Sequence, residues 1–199
     1  MIPLQQNSIV LSTLVVLLDD YATKVAGDNR VIQGNSKMSL SPGTPPVQKT
    51  GALYALANLT PGEYTATVTA DYYFDTSQTS WIESKTSPAN QPPLPVVYIR
   101  LEPRTAAAFA PNTALIQGAV RDATTDLPLP GAAVWLADDA EDQGRCDSQG
   151  RFVLPLPAKA TGSISICAVT NSYRQCCQRA AISNNSAYTN LYLNRIELT

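Results

Sequence analysis

The 199-residue chain contains no histidine. That removes the commonest general base and the commonest metal ligand together. It also excludes a Ser-His-Asp or Cys-His arrangement within the chain. Charge is scarce as well: 14 Lys and Arg stand against 16 Asp and Glu, 15% of residues, for a net charge of −2. The basic residues are scattered, whereas a surface built for phosphates clusters them, so no nucleic-acid partner is expected. Apolar runs are short. Ile9 to Leu18 (IVLSTLVVLL) cannot span a bilayer as a helix. It also lacks the flanks of a signal peptide, because Met1 to Ser8 carry no Lys or Arg and the run ends in Asp19-Asp20. It reads as a buried β-strand, with no membrane insertion. The chain is therefore expected to be cytoplasmic or part of an assembled particle released from the cell. The four cysteines form no Cys-x-x-Cys pair, which argues against both a zinc site and a dithiol redox motif. Neither a metal nor a cofactor is expected.

What the sequence does have is β-strand grammar. Fifteen prolines and ten glycines punctuate short runs of β-branched and aromatic residues. Tyr64 to Ala70 alternates, with Tyr64, Ala66, Val68 and Ala70 on one face and Thr65, Thr67 and Thr69 on the other. Further strands are expected at Leu53 to Leu56, Pro95 to Leu101, Ser163 to Val169, Arg174 to Ile182 and Tyr188 to Leu198. Asp75 to Pro95 is polar and Pro-rich and reads as a long loop. After Asp19-Asp20 a turn and then a second strand are expected, as after Asp122.

The run from Ile116 to Leu154 carries a more specific order. It reads I-x-G-x-V-x-D at Ile116, Gly118, Val120 and Asp122, then P-L-P-G-A-x-V-x-L at Pro128 to Ala132, Val134 and Leu136. D-x-x-G-x-F-x-L follows at Asp147, Gly150, Phe152 and Leu154. This order resembles the carboxypeptidase regulatory-like, transthyretin-like β-sandwich domain. A second phrase, L-x-P-G-x-Y-x-x-x-V at Leu59 to Val68, is similar to the same domains, so the first half looks like a diverged copy of the second. The resemblance implies an all-β fold of two tandem antiparallel β-sandwiches, immunoglobulin-like or transthyretin-like. The expected division is an N-terminal sandwich over 1–103, a linker over 104–111 and a C-terminal sandwich over 112–199. Such domains are non-catalytic additions to many unrelated proteins.

Candidate site residues are few. Tyr72, Tyr73, Phe74 and Trp81 could form an aromatic platform for a partner or a sugar; the alternative is that they cover the end of a core. If Asn171-Ser172 is a two-residue hairpin tip, facing residues sum to 343, and Cys167 lies opposite Cys176 as a possible disulfide. Cys146 paired with one of the others, or buried free thiols acting as small hydrophobes, are the other readings. Asp138, Asp139, Glu141 and Asp142 lack EF-hand spacing and read as a solvated hairpin tip. Asp19, Asp20, Asp122 and Asp126 sit at strand ends, where aspartates cap turns.

No catalytic residues are assigned, and the chain is not expected to be an enzyme. The expected function is that of a non-catalytic structural or interaction protein. It would be a subunit or accessory of a larger assembly such as a phage-tail-like injection apparatus, a fibre or a surface filament. Protein partners or self-association are expected; a carbohydrate or cell-surface binding module is the alternative.

Overall fold

The computed structural model describes residues 10–27, 29–43, 45–49, 51–82, 94–107, 109, 114–156, 161–184 and 186–196. The fold is all-β apart from one short helix, and the chain divides into two compact units. One comprises Met1–Asp20 and Asn29–Leu101; the other comprises Tyr21–Asp28 and Glu102–Thr199. The expected linker at 104–111 falls partly outside the described residues.

The first unit holds β1 (Leu11–Asp19), β2 (Ser36–Ser41), β3 (Val47–Gln48), β4 (Leu53–Ala57), β5 (Gly62–Ala70), β6 (Thr76–Ile82) and β7 (Val96–Leu101). They form a four-stranded sheet in the order β3-β4-β1-β7 and a three-stranded sheet in the order β2-β5-β6. One apolar cluster draws on both sheets: Val15 and Leu17 from β1, Tyr54 and Leu56 from β4, Tyr64, Ala66 and Val68 from β5, and Ile99 and Leu101 from β7. Tyr64 also donates its hydroxyl to the Thr60 carbonyl at 2.9 Å. The L-x-P-G-x-Y phrase is thus a tyrosine folded back on its own turn.

The second unit holds β8 (Leu115–Asp122), β9 (Ala133–Leu136), β10 (Asp139–Arg145), β11 (Arg151–Pro155), β12 (Ser163–Val169), β13 (Cys176–Ser183) and β14 (Ser186–Leu193). Their order is β10-β9-β12-β13-β14-β8-β11. The core gathers Ile116, Val120, Val134, Phe152, Leu154, Ile166, Leu191 and Leu193.

Four expectations need correction. The sheets are not purely antiparallel, because β1 pairs β7 and β8 pairs β14 in parallel. In each unit the first strand lies between two others, and in β1 this accounts for the nearly unbroken apolar run. The turn expected after Asp19 is a helix, α1 (Asp20–Ala26). It has an acid in its first turn, a lysine in its last and Gly27 just beyond it at φ 67°, each favouring a short helix. An isolated bridge joins Leu18 and Val31, and the expected second strand follows at the end of the same stretch as β2. The expected loop after Asp75 contains β6, whose polar residues are held by a hydroxyl ladder to β5. Thr65 meets Thr79 and Thr67 meets Ser77, each at 3.0 Å. Residues 83–93 of that expected loop lie outside the described residues. Finally, the β12–β13 hairpin does not turn on two residues, with the consequence for the cysteines given below.

The glycines of the I-x-G-x-V-x-D and D-x-x-G phrases have steric reasons. A Cβ on Gly118 would lie 1.7 Å from the Thr189 carbonyl oxygen and 2.8 Å from the Phe152 ring. Only glycine lets β14 approach β8 there. Gly150 adopts φ +69°, and a Cβ would meet the Val120 carbonyl at 2.7 Å. Gly118→Ala is therefore expected to destabilise the second unit by about 2 kcal/mol or more, as read by urea denaturation. A change below about 0.5 kcal/mol, the scatter of neutral surface changes, would refute the close parallel approach of β14.

Candidate interaction surface

The aromatic candidates do not converge. Tyr73 is only 2% exposed, and its hydroxyl donates to Asp19 at 3.0 Å while accepting from the Gln33 N–H at 3.3 Å. Burial is the main cause of a phenol pKa raised to about 12. Tyr73 is a core residue, not part of a platform. Tyr72 is 40% exposed at the β5–β6 turn, with Phe74 half-buried nearby. Trp81 is 67% exposed, but it lies five residues beyond Thr76 on β6, about 16 Å along the strand. A single coplanar aromatic surface does not form.

The exposed apolar surface that does form lies on the other sheet of the same unit. On β1, Val15 and Leu17 point into the core, so Leu14 and Val16 point outward. Pairing aligns Val47, Ala55, Leu14 and Val96 in one row, and Leu53, Val16 and Tyr98 in the next. Val47 is 52% exposed, Val96 41% and Tyr98 53%. Beyond them, β7 ends the sheet, so its outer backbone edge pairs with no other strand among the described residues. Sequence reasoning registered β1 as a buried strand but missed that its two faces have different fates. The signal was available: IVLSTLVVLL is apolar at both parities.

The cysteines form a different pair from the expected one. Cys167 is bonded to Cys177, and Cys176 is a half-buried free thiol. Facing residues sum to 344, not 343, since Cys167 opposes Cys177 and Ala168 opposes Cys176. The cause is Tyr173, which leaves the hairpin to bridge Arg195 and to donate its hydroxyl to Asp122 at 2.7 Å. Cys176 consequently packs toward the core. Cys146 is buried and free, its pKa pushed up to about 12 by burial and then by the neighbouring Asp147 and Glu102. It acts as a small hydrophobe rather than a nucleophile.

The carboxylates near Cys146 are engaged structurally. Glu102, raised by burial, accepts from the Arg145 N–H at 2.6 Å and its Nε at 3.0 Å. Burial opposes ionisation of Asp147 too, but bonds from the Thr105 hydroxyl, the Arg151 and Gln149 N–H groups and Arg151 Nε outweigh it and lower its pKa. Asp122 caps the turn after β8 through the Thr124 and Thr125 N–H groups. The Tyr173 hydroxyl and those two bonds hold its pKa at about 2. Asp138 and Asp139 are exposed around the β9–β10 turn. No group of three His, Cys, Asp or Glu among the described residues is placed to hold a metal ion. No helix among them is long and apolar enough to cross a membrane.

No protein-family model matches the chain, and no curated protein matches it. Similar solved structures include the Bacillus anthracis TIE protein, at 14% identity over 94% of this chain and 34% of that one, with a TM-score of 0.34. A Streptococcal ancillary pilin matches at 10% identity over 96% of this chain and 63% of that one, with a TM-score of 0.31. The shaft pilin SpaA from Lactobacillus rhamnosus GG matches at 13% identity over 94% and 99%, with a TM-score of 0.35. The chain thus spans about a third of the first structure and just under two thirds of the second. Superpositions this loose carry no inference about function.

Two predictions follow from this geometry. Denatured protein should titrate two thiols per chain without reductant and four with it, given the one disulfide and two free cysteines. Replacing Cys167 and Cys177 by Ser should cost about 2–3 kcal/mol for so short a loop, and unchanged stability would argue against the bond. Asp122, with its pKa depressed in the fold, contributes stability that is complete above the unfolded value of about 3.9. That contribution falls away as pH drops through about 2. Asp122→Asn should flatten the loss of stability between about pH 4 and pH 2 in acid titrations followed by circular dichroism.

Proposed function

We propose that the chain is a non-catalytic structural protein that works as a subunit of a larger protein assembly, of the surface-filament kind. The observation that carries this reading is the β3-β4-β1-β7 sheet of the first unit. Its outer face presents Val47, Leu53, Val16, Val96 and Tyr98 beside the open edge of β7. An unpaired edge next to an apolar face suits addition of a strand from a neighbouring subunit, with backbone bonds giving affinity and the side-chain rows giving register. The Cys167–Cys177 disulfide accords with service outside the reducing cytosol.

The reading includes two sandwich units: the apolar cluster of the first draws on both of its sheets, and that of the second on strands along its one seven-stranded sheet. It also includes the likeness of the second unit to carboxypeptidase regulatory-like domains, supported by the steric roles of Gly118 and Gly150 and the turn built by Asp147. A sugar-binding role has less support, because Tyr73 is buried and Trp81 stands apart.

Light scattering after gel filtration, over a range of concentrations, tests the assembly reading. The expected outcome is a mass that grows with concentration, and Val96→Lys with Tyr98→Lys should weaken association at least tenfold while leaving thermal stability intact. A chain that stays monomeric at every concentration would remove self-assembly.

A further inference from the structure

We infer that the second unit carries an oxyanion-binding pocket at the Asp122 end of β8, suited to a single carboxylate or sulfate group. The cavity has a volume of about 480 Å³ and is lined by Asp122, Thr124, Thr125, Arg174, Asn194 and Arg195. Two chain segments build its basic wall. The Arg174 N–H donates to the Asn194 carbonyl at 2.9 Å and the Ile196 N–H to the Ser172 carbonyl at 2.7 Å. This short ladder places both arginines at the rim. Arg195 is further fixed, since its Nη2 donates to the Tyr173 hydroxyl oxygen at 3.2 Å and its guanidinium lies 5.6 Å from the centre of that ring.

The lone acid in the lining, Asp122, stays ionised and its field reaches Arg195, but no salt bridge joins it to either arginine. Asp122 spends one oxygen on the Tyr173 hydroxyl and the other on the Thr124 and Thr125 N–H groups. No carboxylate among the described residues lies within ion-pair distance of Arg174 or Arg195. The hydrogen-bond link between Arg195 and Asp122 runs through the phenol. The cavity therefore offers two guanidiniums, one already immobilised, beside two threonines and an asparagine amide. Guanidinium forks match the oxygens of a carboxylate or sulfate, and a held donor loses less entropy on binding. In the first unit the equivalent phenol, Tyr73, accepts from a backbone N–H instead of an arginine. The pocket is a development of the second unit.

The acidic segment Asp138 to Asp142 of another copy is one source of such a group; a free or ligand-borne oxyanion is another. The test follows Thr124 and Thr125 amide resonances and calorimetry while the full chain is titrated with sodium sulfate, and separately with a peptide of residues 136–144. Sodium chloride at matched ionic strength is the control. Saturable sulfate binding that Arg174→Gln weakens about tenfold supports the pocket. Arg174 lies outside the Tyr173–Asp122 bond, so this variant keeps the fold. Peptide binding displaced by sulfate names a second copy as the source; sulfate binding alone keeps the pocket and dismisses that source. Responses that do not saturate, or that survive in both Arg174→Gln and Arg195→Gln, overturn the proposal. None of these outcomes depends on the chain assembling through β7.

Discussion

A tyrosine hydroxyl bonded to the carboxylate at the end of the first strand recurs in both units, and much of the architecture depends on it. Tyr73 reaches Asp19 and Tyr173 reaches Asp122. In each unit the tyrosine follows a tight turn after a long strand, and the aspartate closes a strand that lies between two others in its sheet. In the first unit the bond therefore runs from the three-stranded sheet side to the four-stranded sheet. In the second it pulls Tyr173 out of the β12–β13 hairpin and so sets the cysteine register. A carboxylate at a strand end must find donors or water. The phenol supplies one donor at a fixed distance from the turn, so a single pair of residues aligns a hairpin with a central strand.

The repeat is finer than shared strand order. Adding 100 to Tyr73 gives Tyr173, and the same shift carries the Thr67–Ser77 pair onto Cys167–Cys177. One cross-strand position is held by two hydroxyls at 3.0 Å in the first unit and by a covalent bond in the second. Both join directly opposed side chains on one face of a hairpin, where cross-strand pairs stabilise most. The hydroxyl pair is indifferent to redox conditions and the disulfide is not, so a reducing environment weakens one copy selectively. The immobilised arginine of the second unit is a further elaboration of the same frame.

The sequence revealed the fold class and the meaning of its glycines more readily than its pairings. Gly118 and Gly150 stand where neighbouring backbone leaves no room for a Cβ, so a local phrase records a tertiary contact. Parallel pairing of β1 with β7 leaves no such mark, since strands 80 residues apart are matched by the whole sheet rather than by a turn. The cysteine register failed by one residue because the hairpin tip depends on Asp122, far away in sequence. Tyr72 and Tyr73 are adjacent and chemically identical, yet the turn between β5 and β6 leaves one exposed and buries the other in the core. Nothing local distinguishes them. The arginine pocket was not legible at all, because Arg174 and Arg195 meet only once two separate segments pair.

The two units also differ in how they treat their edges. In the second, β13 pairs β14 at Ile182 with Ala187 and Ser183 with Ser186, which makes the seven strands continuous. Among the described residues, only β10 and β11 are left as ends. In the first, β6 and β7 are both terminal strands among the described residues, with 83–93 lying between them in the chain. The polar ladder on β6 leaves Trp81 as its one exposed large apolar residue, whereas β7 offers Val96 and Tyr98 in successive rows. Unprotected edges invite pairing with other chains, and folds that must stay apart blunt them with charge, proline or a bulge. On β7 the exception is Arg100, at the far end from Val96. A strand laid along β7 would face two apolar rows, Val96 and Tyr98, and then one charge, Arg100, so the side chains on this edge favour one register.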